Sequence, residues 1–120
     1  FNGFSRERQV SQAAGALEDA EHARRAEELR LRTSVTSALD ALTTAVSVVQ
    51  VEERNREEAV EQLELSRQRY TLGADNFLVL LDAERTMAEG ERAYLDSLYS
   101  FYLDLANLEN AVGQRLRPEE

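Results

Sequence analysis

The residues with the most chemical potential are Asp19 and His22, the carboxylates Asp75 and Asp82 within and after a glycine-containing break, and the acidic run Glu52-Glu53-Arg54-Asn55-Arg56-Glu57-Glu58. Asp19-x-x-His22 has the i, i+3 spacing that places a carboxylate and an imidazole on one helix face, as in metal sites within helical bundles. A di-metal bundle needs two such pairs and further glutamates, and His22 is the only histidine, so it reads as an exposed side chain rather than a ligand. With no cysteine there is no thiolate chemistry, disulfide or Cys-type zinc site. Neither a Ser/His/Asp arrangement nor a phosphate-binding glycine loop can be assembled, which leaves no catalytic residue, cofactor or metal to name. The acidic run reads as a solvated helix face with ion pairs at i, i+4.

Charge excludes another class. Carboxylates outnumber basic residues 23 to 14, giving a net charge of −9, whereas phosphate binding depends on clustered Lys and Arg, so nucleic acid is not a partner. The longest uninterrupted apolar run, Phe77 to Leu81, is far short of the ~20 residues a membrane-spanning helix needs. No secretory leader pattern opens the chain, and Phe1 in place of Met points to a portion of something longer.

The elements that position these residues are helical. From Ala16 to Leu72 there is neither Gly nor Pro, and Ala, Leu, Glu, Arg and Gln dominate, so one helix is predicted over 5–71. At 1.5 Å per residue it would be roughly 100 Å long. Val35, Ala38, Leu39, Leu42, Ala45, Val46 and Val49 form one apolar face. Earlier that face is small, with Ala13, Ala14, Ala16, Ala20, Ala23 and Ala26, so a neighbouring helix can come close.

The break is Tyr70 to Asn76. Gly73 suits the left-handed residue that ends a helix, and Asp75 or Asn76 suits the N-cap of the next. A turn over 72–76 and a second helix over 76–116 follow. Leu80, Met87, Tyr94, Leu98, Phe101, Leu105, Leu108 and Val112 step by three and four residues, a coiled-coil seam interrupted only by Glu84 and Glu91. Gly113 ends this helix, Arg115 and Arg117 favour its C-terminus, and Pro118 prevents continuation.

The fold class is therefore all-α, a long antiparallel two-helix coiled-coil hairpin forming a single unit over 1–120. The second helix is much the shorter, so Val10, Leu17 and the alanine face lack an internal partner, and two helices alone enclose no core. Further helices, from the same protein or from copies of it, must complete the structure. A break at Thr33-Ser34-Val35-Thr36-Ser37, folding the chain into a three-helix bundle, is the compact alternative; Ser and Thr are weak breakers, which favours the unbroken helix.

Three landmarks resemble the outer membrane efflux protein family, the TolC-like trimeric channel-tunnels. Phe1-Asn2-Gly3 is similar to the handover from a membrane β-strand to the long tunnel helix. Arg69-Tyr70-Thr71-Leu72-Gly73, then Leu80-Leu81-Asp82-Ala83-Glu84, resemble the family's Arg-Tyr-x-x-Gly and Val-Leu-Asp-Ala-Gln around the periplasmic turn. Leu108-Glu109-Asn110-Ala111-Val112-Gly113 is similar to the Leu-x-x-Ala-x-Gly that closes a repeat.

The resemblance covers nearly the whole chain and implies one helical hairpin of one repeat. It would be the periplasmic portion of a homotrimeric outer membrane channel that works with a periplasmic adaptor and an inner-membrane pump to export small solutes or drugs. Membrane contact would come only through strands outside this sequence. By the same resemblance, Tyr70 and Asp82 lie near the pore constriction, and Gly73, with Leu72 and Ala74 beside it, is the turn an adaptor hairpin docks against. Asp75 departs from the basic residue that locks the mouth in some members, and Val79 from an acidic one, so any acidic ring would rest on Asp82 alone. Glu84 for Gln is a milder change on a solvated face.

From the residues alone, Asp82 reads as an early-helix Asp favoured by the macrodipole, Tyr70 as an aromatic packed across the turn, and Gly73 as a cap; only the resemblance brings the pore reading of Asp82 level with this one. The alternative function is protein–protein interaction, by an adaptor-type hairpin, which would need flanking β-rich lipoyl-like segments, or by a structural coiled coil.

Overall fold

The structure, a computed structural model, describes residues 2–116. It is all-α: α1 spans Asn2–Thr71 and α2 spans Phe77–Val112. α1 starts a little before the predicted Ser5 and passes through Thr33–Ser37 without a break. The hydroxyl of Thr33 donates to the carbonyl of Leu29, so a side chain that competes with helix formation in solution is here absorbed by the helix it sits in. Phe1, Arg117 and Pro118, on which the expectations for the two ends rest, lie outside the described residues.

The chain divides into two units, Phe1–Ser37 and Ala38–Glu120. The first is helical wherever described, with Val10, Leu17 and the alanines from Ala13 to Ala26 all exposed. The second holds the hairpin. Its antiparallel course follows from contacts that climb one helix as they descend the other: Arg69 with Asp75, Arg67 with Glu84, Ala59 beside Gly90, Arg56 over Tyr94.

The seam is half large and half small. Within the second unit the buried or half-buried positions of α1 are Ala38, Leu42, Ala45, Val49, Glu52, Arg56, Ala59, Leu63 and Ser66, in steps of four and three; on α2 they include Leu80, Ala83, Met87, Gly90, Tyr94, Ser97, Phe101, Leu105 and Leu108. This corrects the expected seam in three ways. Ala83, Gly90 and Ser97 alternate with the predicted large residues of α2, and a methyl group placed on Gly90 would lie 3.6 Å from both the Ala59 Cβ and the Arg56 Cα. Leu39, Val46 and Val112, expected on the packed faces, are exposed, because a pair of helices covers only one narrow strip of each. Glu52 and Arg56 belong to the seam rather than to a solvated face, and the Arg56 guanidinium sits 4.5 Å from the Tyr94 ring centroid.

α2 stops at Val112 instead of reaching Leu116. Gly113 takes the left-handed conformation (φ 69°), its N–H and that of Gln114 donate to the Glu109 carbonyl, and the Glu109 carboxylate accepts from the Leu116 N–H. Arg115 accordingly lies past the helix end.

One expectation about membranes needs revising. By length and composition α1 contains an 18-residue stretch apolar enough to cross a bilayer. Run length missed it because Ser and Thr interrupt the apolar residues, yet between Arg32 and Glu52 only Asp40 is charged. The same region supplies Ala45 and Val49 to the helix–helix seam, and the hydroxyls of Thr43, Thr44 and Ser47 donate to carbonyls four residues back.

Candidate functional site

The turn between the helices is built by its backbone. The Ala74 N–H donates to the Arg69 carbonyl (2.8 Å) and the Gly73 N–H to the Tyr70 carbonyl (3.0 Å), a Schellman pair that satisfies carbonyls left free at the end of α1. Gly73 makes this possible by adopting φ 71°, where a Cβ would be strained. Asn76 is the N-cap of α2: its side-chain oxygen accepts from the Val79 N–H at 3.1 Å.

Asp75, the other capping candidate, has a different partner. Its carboxylate meets the Arg69 Nε at 3.2 Å, with the Asp75 side chain only 14% exposed. Tyr70 sits edge-on to Phe77, ring centroids 6.3 Å apart, so both flanks of the turn are tied across it.

This turn presents large apolar side chains to solvent. Leu72 is 82% exposed and Leu78 71%, with Phe77 and Leu81 also exposed and Gly73 and Ala74 between them. A hairpin tip that exposes leucines and a phenylalanine beside its capping Asn76 is a surface suited to contact with another protein.

Tyr70 and Asp82 receive separate partners. The exposed Asp82 carboxylate accepts from Arg85 one turn on, at 3.1 Å. Asp82 also lines a groove of about 300 Å³ shared with Ser66, Arg69, Asp75 and Ala83, so the turn's carboxylate and that of early α2 border the same groove. At its edge the Ser66 hydroxyl oxygen is buried without a hydrogen-bond partner. Glu84, expected to be solvated, reaches across the hairpin to Arg67 at 3.6 Å. His22 pairs loosely with Glu18 at 3.9 Å, both exposed, and among the described residues no three His, Cys, Asp or Glu side chains converge to hold a metal ion.

These features are mechanical: caps, cross-turn ties and an apolar tip on a long hairpin. The model of the outer membrane efflux protein family matches residues 1–114, almost the whole chain. The chain belongs to the outer membrane efflux protein family. Its members are components of transport channels rather than enzymes, and the family places this efflux protein at the outer membrane. Searches of curated proteins and of solved structures found no match.

Two features of the efflux protein's hairpin escaped sequence reasoning. The Arg69–Asp75 pair was hidden because both residues also fit other local roles, a C-terminal cation and an N-cap. The small half of the seam was visible in principle: Ala83, Gly90 and Ser97 recur at seven-residue spacing, and a glycine tolerated inside a helix signals close approach.

Proposed function

We propose that the hairpin is a wall segment of a TolC-like periplasmic tunnel, in a homotrimeric channel that exports small solutes or drugs with a periplasmic adaptor and an inner-membrane pump. The observation that carries this reading is the combination of family membership with an apolar, backbone-stiffened tip at the end of a hairpin whose outward faces keep Leu39, Val46, Leu95 and Tyr102 exposed. Such faces are completed by neighbouring helices, and the tip by a partner.

In this arrangement the efflux protein does no covalent chemistry. Leu72, Gly73 and Ala74 form the surface that the adaptor meets; the Arg69–Asp75 and Tyr70–Phe77 ties transmit that contact to the helices instead of letting the turn yield. Tyr70 and Asp82 stand next to the mouth, where three symmetry-related Asp82 carboxylates would favour cations over anions.

Leu72→Asp tests the docking surface without touching the left-handed glycine. In the protein expressed from its whole reading frame, efflux is lost while outer membrane abundance and trimer content stay unchanged. Normal efflux by that variant removes the turn from the adaptor contact.

A further inference from the structure

Of the two carboxylates that border the tip groove, only Asp82 faces open solvent. Asp75 is held by Arg69 with its side chain 14% exposed, whereas the Asp82 side chain is 70% exposed. Asp82 nevertheless does not stand alone. Arg85 reaches it at 3.1 Å through one guanidinium nitrogen and approaches Glu89 at 3.9 Å through another, so a single cation lies between two carboxylates along one side of α2. Asp82 and Arg85 also border an open groove of about 550 Å³ with Leu78, Leu81 and Glu84. The Glu84 carboxylate is turned to Arg67 on the other helix, which leaves Arg85 to Asp82 and Glu89.

We propose that Arg85 sets the charge preference of the channel mouth by counterbalancing Asp82. The inference rests on the tunnel reading, which puts Asp82 at that mouth, and adds to it the residue that tempers the carboxylate. A permeating ion responds to the sum of the fixed charges within about a Debye length, ~10 Å at 0.1 M salt. Asp82 and Arg85 are three residues apart on one helix and so are neighbours on its surface; the guanidinium stays inside that radius even when the 3.1 Å contact opens. As a bond, an exposed pair of this kind does little for stability, so Arg85 can be replaced without unfolding the hairpin. Its electrical effect does not need a persistent bond. A carboxylate with a guanidinium beside it presents a dipole, whose field fades faster with distance than that of a bare charge. A mouth ringed by such pairs prefers cations only weakly, and removal of Arg85 unmasks both Asp82 and Glu89.

The test measures reversal potentials for the protein expressed from its whole reading frame, purified and reconstituted in planar lipid bilayers, across a potassium chloride gradient with about 0.1 M salt on the dilute side. Arg85→Gln is expected to raise the cation-to-anion permeability ratio by at least about twofold, and Asp82→Asn to lower it below that of the parent. The double variant discriminates. With Glu89 still in place, adding Arg85→Gln to Asp82→Asn brings the ratio back up towards the parental value, whereas a mouth indifferent to Arg85 leaves the double variant at the Asp82→Asn level. Conducting channels whose ion preference is unchanged by Arg85→Gln, or a double variant equal to Asp82→Asn alone, overturn the proposal and leave the tunnel reading standing. A parent protein that forms no ion-conducting channel sinks the tunnel reading and the proposal with it.

Discussion

The Arg69 guanidinium and the Asp75 carboxylate meet at 3.2 Å across the turn that joins the helices, and the Asp75 N–H also approaches the Arg69 carbonyl at 3.4 Å. Residue 75 therefore belongs to the turn's own architecture: it closes the loop on the helix it has just left, and Asn76 is free to cap the helix that follows.

Breaking that tie has a measurable cost. Asp75→Asn and Arg69→Gln in a double-mutant cycle are expected to show a coupling of about 1 kcal/mol, discounted from the range for charged hydrogen bonds because Arg69 is half exposed. Urea unfolding measures it, and the coupling shrinks at high salt, about 1 M, as the exposed side of the pair is screened.

At Gly90 the two helices are close but not touching to the limit. A methyl group would meet Ala59 and Arg56 at ordinary contact distance, so Gly90→Ala is expected to stabilise the hairpin by up to about 1 kcal/mol through helix propensity alone. Gly90→Leu exceeds the space and is expected to destabilise it by about 1–3 kcal/mol. Thermal unfolding of the two variants beside the parent distinguishes a seam in close contact from a loose one, which would accept both.

Gly73 has open space around it, so only its backbone resists substitution. Gly73→Ala is expected to lose about 1 kcal/mol and Gly73→Asn less, since Asn tolerates the left-handed region better. Equal losses in urea unfolding would mean that the positive φ is not what the position requires.

The buried Ser66 hydroxyl, unpartnered at the seam, works against the hairpin. Ser66→Ala removes an unsatisfied group at nearly constant volume and is expected to raise stability by about 1 kcal/mol. A loss of stability in the same assay would show that the hydroxyl has a partner in solution.

Much of this was legible in the residues. An unbroken helix ending at Thr71 followed from the absence of Gly and Pro, and Gly73 announced the left-handed cap. Helical spacing located the large half of the α2 seam. What it could not resolve was the packed strip's width. Leu39 and Val112 satisfy the periodicity as well as Leu42 and Leu108 do, and only the presence of a single partner helix leaves the former exposed. Polar seam residues were illegible for a related reason: Glu52 and Arg56 sit within a charged run that looks solvated until α2, with Tyr94 under Arg56, is supplied by tertiary structure. Gly113 marked the end of α2 correctly, and only the outer bound at Leu116 was too long, because the Gly113 cap, with its Glu109 interactions, outweighs the helix-forming tendency of Gln114 to Leu116.

The central claim, that the Leu72–Ala74 turn is a periplasmic docking tip of an efflux channel, is tested most directly by Ala74→Cys in the protein expressed from its whole reading frame, with a thiol–photo-reactive crosslinker attached in the periplasm of living cells. The account predicts a crosslink to the adaptor protein that disappears when Leu72→Asp is added. Labelling of the same cysteine by an impermeant reagent from outside intact cells, with no adaptor crosslink, would contradict it.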